Sequence, residues 1–378
     1  MENQKKVGIL TIHNVDNYGA ILQTFSTFNY LKKISSPEII NFDNPAFEPS
    51  LKLIRYSGLS SIKSCVKDIL RINSRFRFIK KFKEFSKQHL TITSKVSKKK
   101  LNSIDFLSNF DVLLVGSDQV WNPDITNLEK KINSDYFFNI NTPEKLRKIS
   151  FASSFGGKEF KKNELEQINL YLNKFYKISL REKNTISYLN IENKKKSEHV
   201  LDPVFLTEKK IWEQIACHNL KKIDPEINNY VLVYSVARSK LIKKITKYIK
   251  KYTTLKIITI DPNLMANTQY FKKISDAGPI EFLNLFMNSS FVVTDSFHGT
   301  CFSLIFEKKF VSIALHKHSD DRITDLLNNI GCKKNFILKP DEDDFKNLDQ
   351  FEISEQSKVK LNDLILKSKT FLDQSILK

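Results

Sequence analysis

The chain has 378 residues, 41% of them hydrophobic, and a formal net charge of +19. That length argues for two domains rather than one core, and the hydrophobic fraction excludes a disordered chain. The positive balance would suit nucleic acid, an anionic membrane or acidic substrates. It is carried mostly by lysines spread along predicted helices, in a sequence rich in Lys, Asn, Ile and Phe, so coding bias is the plainer reading.

The opening MENQKKVGILTIHNV has an apolar run too short for a signal peptide and no small-residue cleavage site. No stretch approaches a spanning helix, so the expectation is a cytoplasmic protein able to touch the cytoplasmic face of a membrane. Val7 to Ile12 is the first predicted strand, followed by the loop His13 to Gly19 and a helix from about Ala20 to Lys33. Ile39 to Phe42 is the next strand, which completes a βαβ opening. The loop lacks the GxGxxG dinucleotide fingerprint. Asn17 and Gly19 read either as a phosphate-approach turn or as an ordinary helix cap, and His13 opens the same loop.

Residues 45–100 form a basic, Phe-rich insertion with amphipathic helical segments SIKSCVKDIL and RFRFIKKFKEFSKQHL. RFRFIKK suits anionic lipid or nucleic acid, and a solvated helix face is the ordinary alternative. Asp111 to Val115 is a buried strand ending in GSDQVWNP. There Ser117 and Asp118 sit where binding loops belong, and Trp121 reads equally as a core aromatic. Asp135 to Ile140 and Lys148 to Ala152 read as strands, and a polar helix covers about 161–174. A strand ending at Leu180 leads to Arg181, placed either to grip a carboxylate or phosphate bidentately or to form a salt bridge. The segment HVLDPVFL, His199 to Leu206, closes the first domain.

The second domain, 207–353, shows strands at Tyr230 and at Lys256 to Ile260, with a Lys-rich helix over 239–252 between them. After a helix at 279–287 comes FVVTDSFHGTCFSLIFEKKFVSI, which reads as strand, polar loop, helix and strand. Ligands of open α/β sheets bind beyond the carboxyl ends of the strands, so Asp295, Ser296 and His298 fall at a binding edge. Gly299 and Thr300 are predicted to open the helix, where backbone N–H groups can hold an anion. A helix over 320–330 carries Asp320, Asp321 and Arg322 in its first turn, and Arg322 is the residue able to turn into the site. The tail 354–378 reads as a helix returning to the first domain. The four cysteines, Cys65, Cys217, Cys301 and Cys332, have no CxxC spacing, which predicts reduced thiols. No His/Cys/Asp cluster calls for a metal or other cofactor. The predicted architecture is α/β: two Rossmann-like domains, 1–206 and 207–353, facing across a cleft.

GILTIHNVDNYGAILQ, VGSDQVWNP, SFASSFG, LREK, VLDPVF and TDSFHGTCFSLIF, in that order, resemble the polysaccharide pyruvyl transferase family. The resemblance implies a fold like the B-type glycosyltransferases. It also implies transfer of the enolpyruvyl unit of phosphoenolpyruvate to sugar hydroxyls, closing a pyruvate ketal in cell-wall, capsule or other surface glycans. His298 matches the histidine of the family's HG motif, and Arg181 the arginine of its donor-associated turn. Ser296 stands where the family commonly has an arginine; the readings left are that Arg322 or a lysine replaces that cation, or that this branch uses another donor. The implied partners are phosphoenolpyruvate, a glycan or lipid-linked sugar acceptor, and the inner membrane surface at its periphery, with no nucleic acid. The readings set beside this one are a nucleotide-sugar glycosyltransferase and a non-catalytic protein that binds anionic polymer or membrane.

Overall fold

The structure is a computed structural model and describes residues 4–54, 62–140, 142–143, 145–218, 229–237, 239–261, 271–313 and 321–377. Asp320, assigned from the sequence to a helix first turn, lies outside them. Two compact units divide the chain: Met1–Leu51 with Ser86–Thr207 and Asn362–Lys378, and Lys52–Phe85 with Glu208–Leu361. The sequence reading put all of 45–100 in the first domain, whereas residues 52–85 cluster with the second unit. Of the C-terminal helix Glu355–Leu377, the part from Asn362 onward counts with the first unit.

In the first unit the strands are β1 (Lys6–Leu10), β2 (Ser36–Ile39), β3 (Val112–Val115) and β4 (Arg147–Ser150), in the order β2-β1-β3-β4, all parallel. A parallel pair, β5 (Ile178–Leu180) with β6 (Ser197–His199), extends it through single bridges Ile149–Lys177 and Ser153–Leu180. Strand β3 is a four-residue run, VLLV, with every position buried, as a strand covered on both faces requires. One cover includes Trp121, Phe137 and Phe155; the other includes Phe28, Phe151 and, from the C-terminal helix, Phe371 and Leu372. The order reverses direction between β1 and β3, so the crevice where ligands bind in such sheets lies between their carboxyl ends.

The second unit carries β7 (Tyr230–Tyr234), β8 (Lys256–Ile260), β9 (Lys272–Ile274), β10 (Phe291–Thr294), β11 (Lys309–Ile313) and β12 (Phe336–Ile337). Their parallel order is β12-β11-β10-β7-β8-β9, that of the dinucleotide-binding fold, with its reversal between β7 and β10. Both units are thus Rossmann-like.

One predicted strand is absent. Residues Ser134–Phe137 form a 3-10 helix, started by Asn133, whose side chain accepts from the Asp135 N–H. The carbonyls that a sheet ladder would need go to side chains instead: Tyr136 O to Trp121 Nε1 at 2.9 Å and Phe138 O to Lys148 Nζ at 2.9 Å. The aromatic run that mimics a strand serves to fill the core, where Trp121 stacks on Phe137 at 5.1 Å. None of the four cysteines is in a disulfide.

Candidate active site

In the second unit the segment FVVTDSFHGTCFSLI runs from β10 straight into the helix Phe297–Ile305. The helix begins three residues earlier than the predicted start at Thr300, because Ser296 caps it: its hydroxyl accepts from the Gly299 N–H at 3.3 Å. The Thr300 N–H is likewise taken, by Ser296 O at 2.9 Å, so these two donors serve the helix itself. Gly299 has a packing reason to be glycine. A Cβ there would lie 2.3 Å from Thr294 Oγ1, so only glycine lets the helix start close onto β10. Thr300 is fully buried, its hydroxyl 2.7 Å from that of Ser312 on β11.

His298, the second residue of this helix, is buried to 8% exposure and sits edge-on to the Phe297 ring, centroids 5.3 Å apart. Asp295 does not spend its carboxylate on solvent. It accepts from Ser235 Oγ at 2.5 Å and from the Val236 N–H at 2.7 Å. Ser235 and Val236 follow β7, and Asp295 follows β10, so this carboxylate ties together the two loops that flank the sheet's point of reversal. Tyr234, at the end of β7, is buried beside it, and its pKa is raised by that burial and by the Asp295 charge. Arg322, on the helix Asp321–Ile330, lays its guanidinium over the Phe297 ring at 5.5 Å. The structure therefore gathers Asp295, Ser296, His298, Gly299 and Arg322 around one helix start.

In the first unit, Ser117 and Asp118 follow β3, and Arg181 follows β5. Arg181 is buried at 4% exposure among carboxylates: Asp202 at 2.9 Å, Asp118 at 3.5 Å and Glu182 at 3.8 Å. Burial opposes its charge, but Asp202, Glu182 and Asp118 outweigh that and hold its pKa above the ordinary value. Ser117 Oγ donates to Ala152 O at 2.9 Å and reaches Asp202 at 3.4 Å, and Ser154 Oγ bonds Glu182. The peptide Gly116–Ser117 is cis, and Asp118 adopts φ +65°. Gly116 at φ +111° would bring a Cβ within 2.3 Å of Phe151 O. Sequence reasoning singled out Arg181, Ser117 and Asp118 but missed Glu182 and Asp202. Their signal was an acid beside the arginine and another just after β6, both at strand ends where an unpaired charge could not be buried.

His13 lies at the carboxyl end of β1, with Nδ1 3.2 Å from Thr11 O, while Thr11 Oγ1 donates to Ser117 O at 3.3 Å. Burial lowers the pKa of His13, against hydrogen bonds to Thr11 and Asn41 that raise it. Asn17 is the N-cap of the helix Tyr18–Leu31, accepting from the Ala20 N–H, and Gly19 is that helix's second residue. Trp121 is a core ring. Among the described residues no group of three or more His, Cys, Asp or Glu could hold a metal ion.

Two parallel sheets, each with its chemistry-bearing loops beyond its own reversal point, define the α/β fold of the B-type glycosyltransferases and their relatives. Solved structures share it. The S. aureus MnaA–UDP co-structure is 11% identical with a TM-score of 0.52, covering 98% of this chain and 97% of that one. The Neisseria meningitidis UDP-GlcNAc 2-epimerase bound to UDP-GlcNAc is also 11% identical, at a TM-score of 0.52 and 99% coverage of both chains. Arabidopsis thaliana UGT89C1 complexed with UDP-L-rhamnose is 11% identical at a TM-score of 0.50, covering 99% of this chain and 98% of that one. Identities this low carry the fold alone. No curated protein sequence matches the chain. The profile of the polysaccharide pyruvyl transferase family matches residues 17–317, and the chain belongs to that enzyme family.

Proposed function

We propose that the protein transfers the enolpyruvyl unit of phosphoenolpyruvate to two hydroxyls of a sugar, closing a pyruvate ketal in a surface polysaccharide or its precursor. What supports this reading above all is the family match across residues 17–317, with His298 in a buried position at the carboxyl edge of β10. Proton transfer to the enol methylene gives an oxocarbenium-like centre at the carbon bearing phosphate. A sugar hydroxyl attacks that carbon and loses its proton. The carbon–oxygen bond to phosphate then breaks, inorganic phosphate leaves, and a second hydroxyl closes the ring as its proton departs. His298 is the group assigned to give and take these protons, since imidazole exchanges protons near neutrality.

The anionic donor needs fixed cations, and Arg322 is assigned to it in place of the cation the family carries two positions before the histidine. Asp295 holds the loops after β7 and β10 in register for His298. In the first unit, Ser117, Asp118, His13 and the start of the helix Tyr18–Leu31 at Asn17 and Gly19 are assigned to sugar binding. Arg181 is assigned to hold that loop through its carboxylates rather than to meet the donor with a bare charge. The acceptor is a glycan or a lipid-linked sugar, which sets the reaction in the cytoplasm or at the cytoplasmic face of the membrane. No described helix is long and apolar enough to cross a membrane.

Release of inorganic phosphate from phosphoenolpyruvate, measured with a broad panel of sugar and lipid-linked sugar acceptors, tests the reading. Acceptor-dependent release with a product heavier by one pyruvate ketal supports it. No release with any acceptor, alongside thermal stabilisation by a nucleotide sugar but not by phosphoenolpyruvate, overturns it.

A further inference from the structure

The helices Ile62–Leu70 and Ile72–His89 carry an outward face that the transfer reading does not use. The inner face of the second is fixed: Arg75, Ile79, Phe82 and Phe85 are buried, Arg75 donates to Lys52 O at 2.8 Å, and Lys81 pairs with Glu281 at 2.5 Å. Its outer face carries Ile72, Phe76, Lys80 and Lys83, spaced four, four and three residues apart, which sets them along one stripe. On the first helix Val66, Ile69 and Leu70 are exposed at the same kind of spacing. Leu70 is 67% exposed and Phe76 55%. Seven of the nineteen large hydrophobics exposed among the described residues fall within 53–76, so this is a concentration and not the usual scatter.

Charge decides what would cover it. Residues 62–89 hold nine lysines and arginines against two acids; Arg71, Arg75, Arg77 and Lys81 are paired with Asp68, Asp276 and Glu281, while Lys80, Lys83 and Lys87 are exposed. Among the described residues Lys83 makes no ion pair, and the Lys80–Glu84 contact at 3.8 Å joins two groups about 60% exposed, a surface pair worth little that leaves Lys80 open to another anion. A second copy of this chain would set those cations against their like. Nucleic acid would satisfy the lysines but leave the aliphatic crest in water. An anionic bilayer satisfies both, since lysines lie at its phosphates and aliphatic and phenyl groups enter the acyl boundary.

We propose that the outward face of these two helices, with Val66, Ile69, Leu70 and Phe76 as its apolar crest and Lys80 and Lys83 as its cations, docks the protein on an anionic phospholipid surface. This goes beyond the transfer reading and is independent of the donor. Flotation of the full chain with vesicles tests it, using phosphatidylcholine alone or phosphatidylcholine with phosphatidylglycerol. Binding to the anionic vesicles is expected, weakened by salt. Lys80→Gln with Lys83→Gln should weaken it about tenfold to thirtyfold, and Leu70→Ser with Phe76→Ser about tenfold or more. The substituted side chains are exposed, so the melting temperature should stay near that of the parent and phosphate release from phosphoenolpyruvate with a soluble acceptor should be unchanged. Failure to bind anionic vesicles overturns the proposal, as does binding indifferent to both double variants. Self-association or nucleic-acid binding that the Leu70 and Phe76 changes remove, without any vesicle binding, assigns the face to another partner and also overturns it.

Discussion

The carboxylate of Asp295 accepts a hydrogen bond from the backbone N–H of Val236 at 2.7 Å, joining the loop after β10 to the loop after β7. The same carboxylate takes the Ser235 hydroxyl. Asp295→Ala removes both acceptors and leaves a half-buried N–H unpaired, at a cost of about 1–3 kcal/mol. Asp295→Asn keeps one oxygen for Val236 and should cost less. Urea unfolding of the two variants checks the order, and phosphate release should fall in both, because the loop that presents His298 loses its anchor.

Arg181 is the charge on which the first unit's polar cluster depends. Asp202, Asp118 and Glu182 all face it from within 4 Å. Arg181→Met strands these carboxylates and should destabilise the fold by about 3–5 kcal/mol. Arg181→Lys keeps the charge but not the planar fork, and should fall between the parent and Arg181→Met. Denaturant midpoints of the three proteins measure this. A stable Arg181→Met protein with only a raised KM for donor would instead make the residue a direct ligand.

How much of this was legible in the sequence depended on which force acts locally. Strand β8 is found where Lys256 to Ile260 predicts it, since a short β-branched run bounded by polar residues has one way to be buried. The run at Asp135 to Ile140 misleads, because aromatic residues fill a core as readily as they line a strand. Asp295, Ser296 and His298 were legible as a group because they follow an unmistakable strand. The role of Gly299 was not, since its close approach to Thr294 is a tertiary fact. Nor could the sequence say that 52–85 belongs with the second unit, which rests on pairs about two hundred residues apart such as Arg77–Asp276. Glu182 and Asp202 matter through Arg181, and a pairing across space leaves no periodic trace.

His199 should give a measurable pH signature. Its Nε2 donates to Arg181 O at 3.2 Å, and burial, with Lys367 and Lys183 nearby, lowers its pKa from 6.5 to about 4. The unfolded chain therefore takes up a proton at this site as pH falls through 6.5, while the folded chain does not until about 4. The stability tied to neutral His199 is fully present above that window and is lost across it. The difference in unfolding free energy between the parent and His199→Gln should change between these two pH values and be flat above them. A constant difference would contradict the burial argument.

Arg322 rests on the Phe297 ring beside His298. Arg322→Ala gives up a cation–π contact worth about 0.5–1 kcal/mol, so the fold should survive. On the proposed role, KM for phosphoenolpyruvate should rise by about tenfold or more, and Arg322→Lys should recover part of the loss. Steady-state kinetics in donor concentration check both.

The most direct test concerns His298. His298→Gln keeps a polar side chain of similar reach but cannot carry a proton between donor and acceptor. Acceptor-dependent phosphate release from phosphoenolpyruvate should fall by about 10²–10⁴-fold, with the melting temperature and donor binding close to those of the parent. A folded His298→Gln enzyme releasing phosphate at the parent rate would contradict the assignment of this imidazole as the proton carrier.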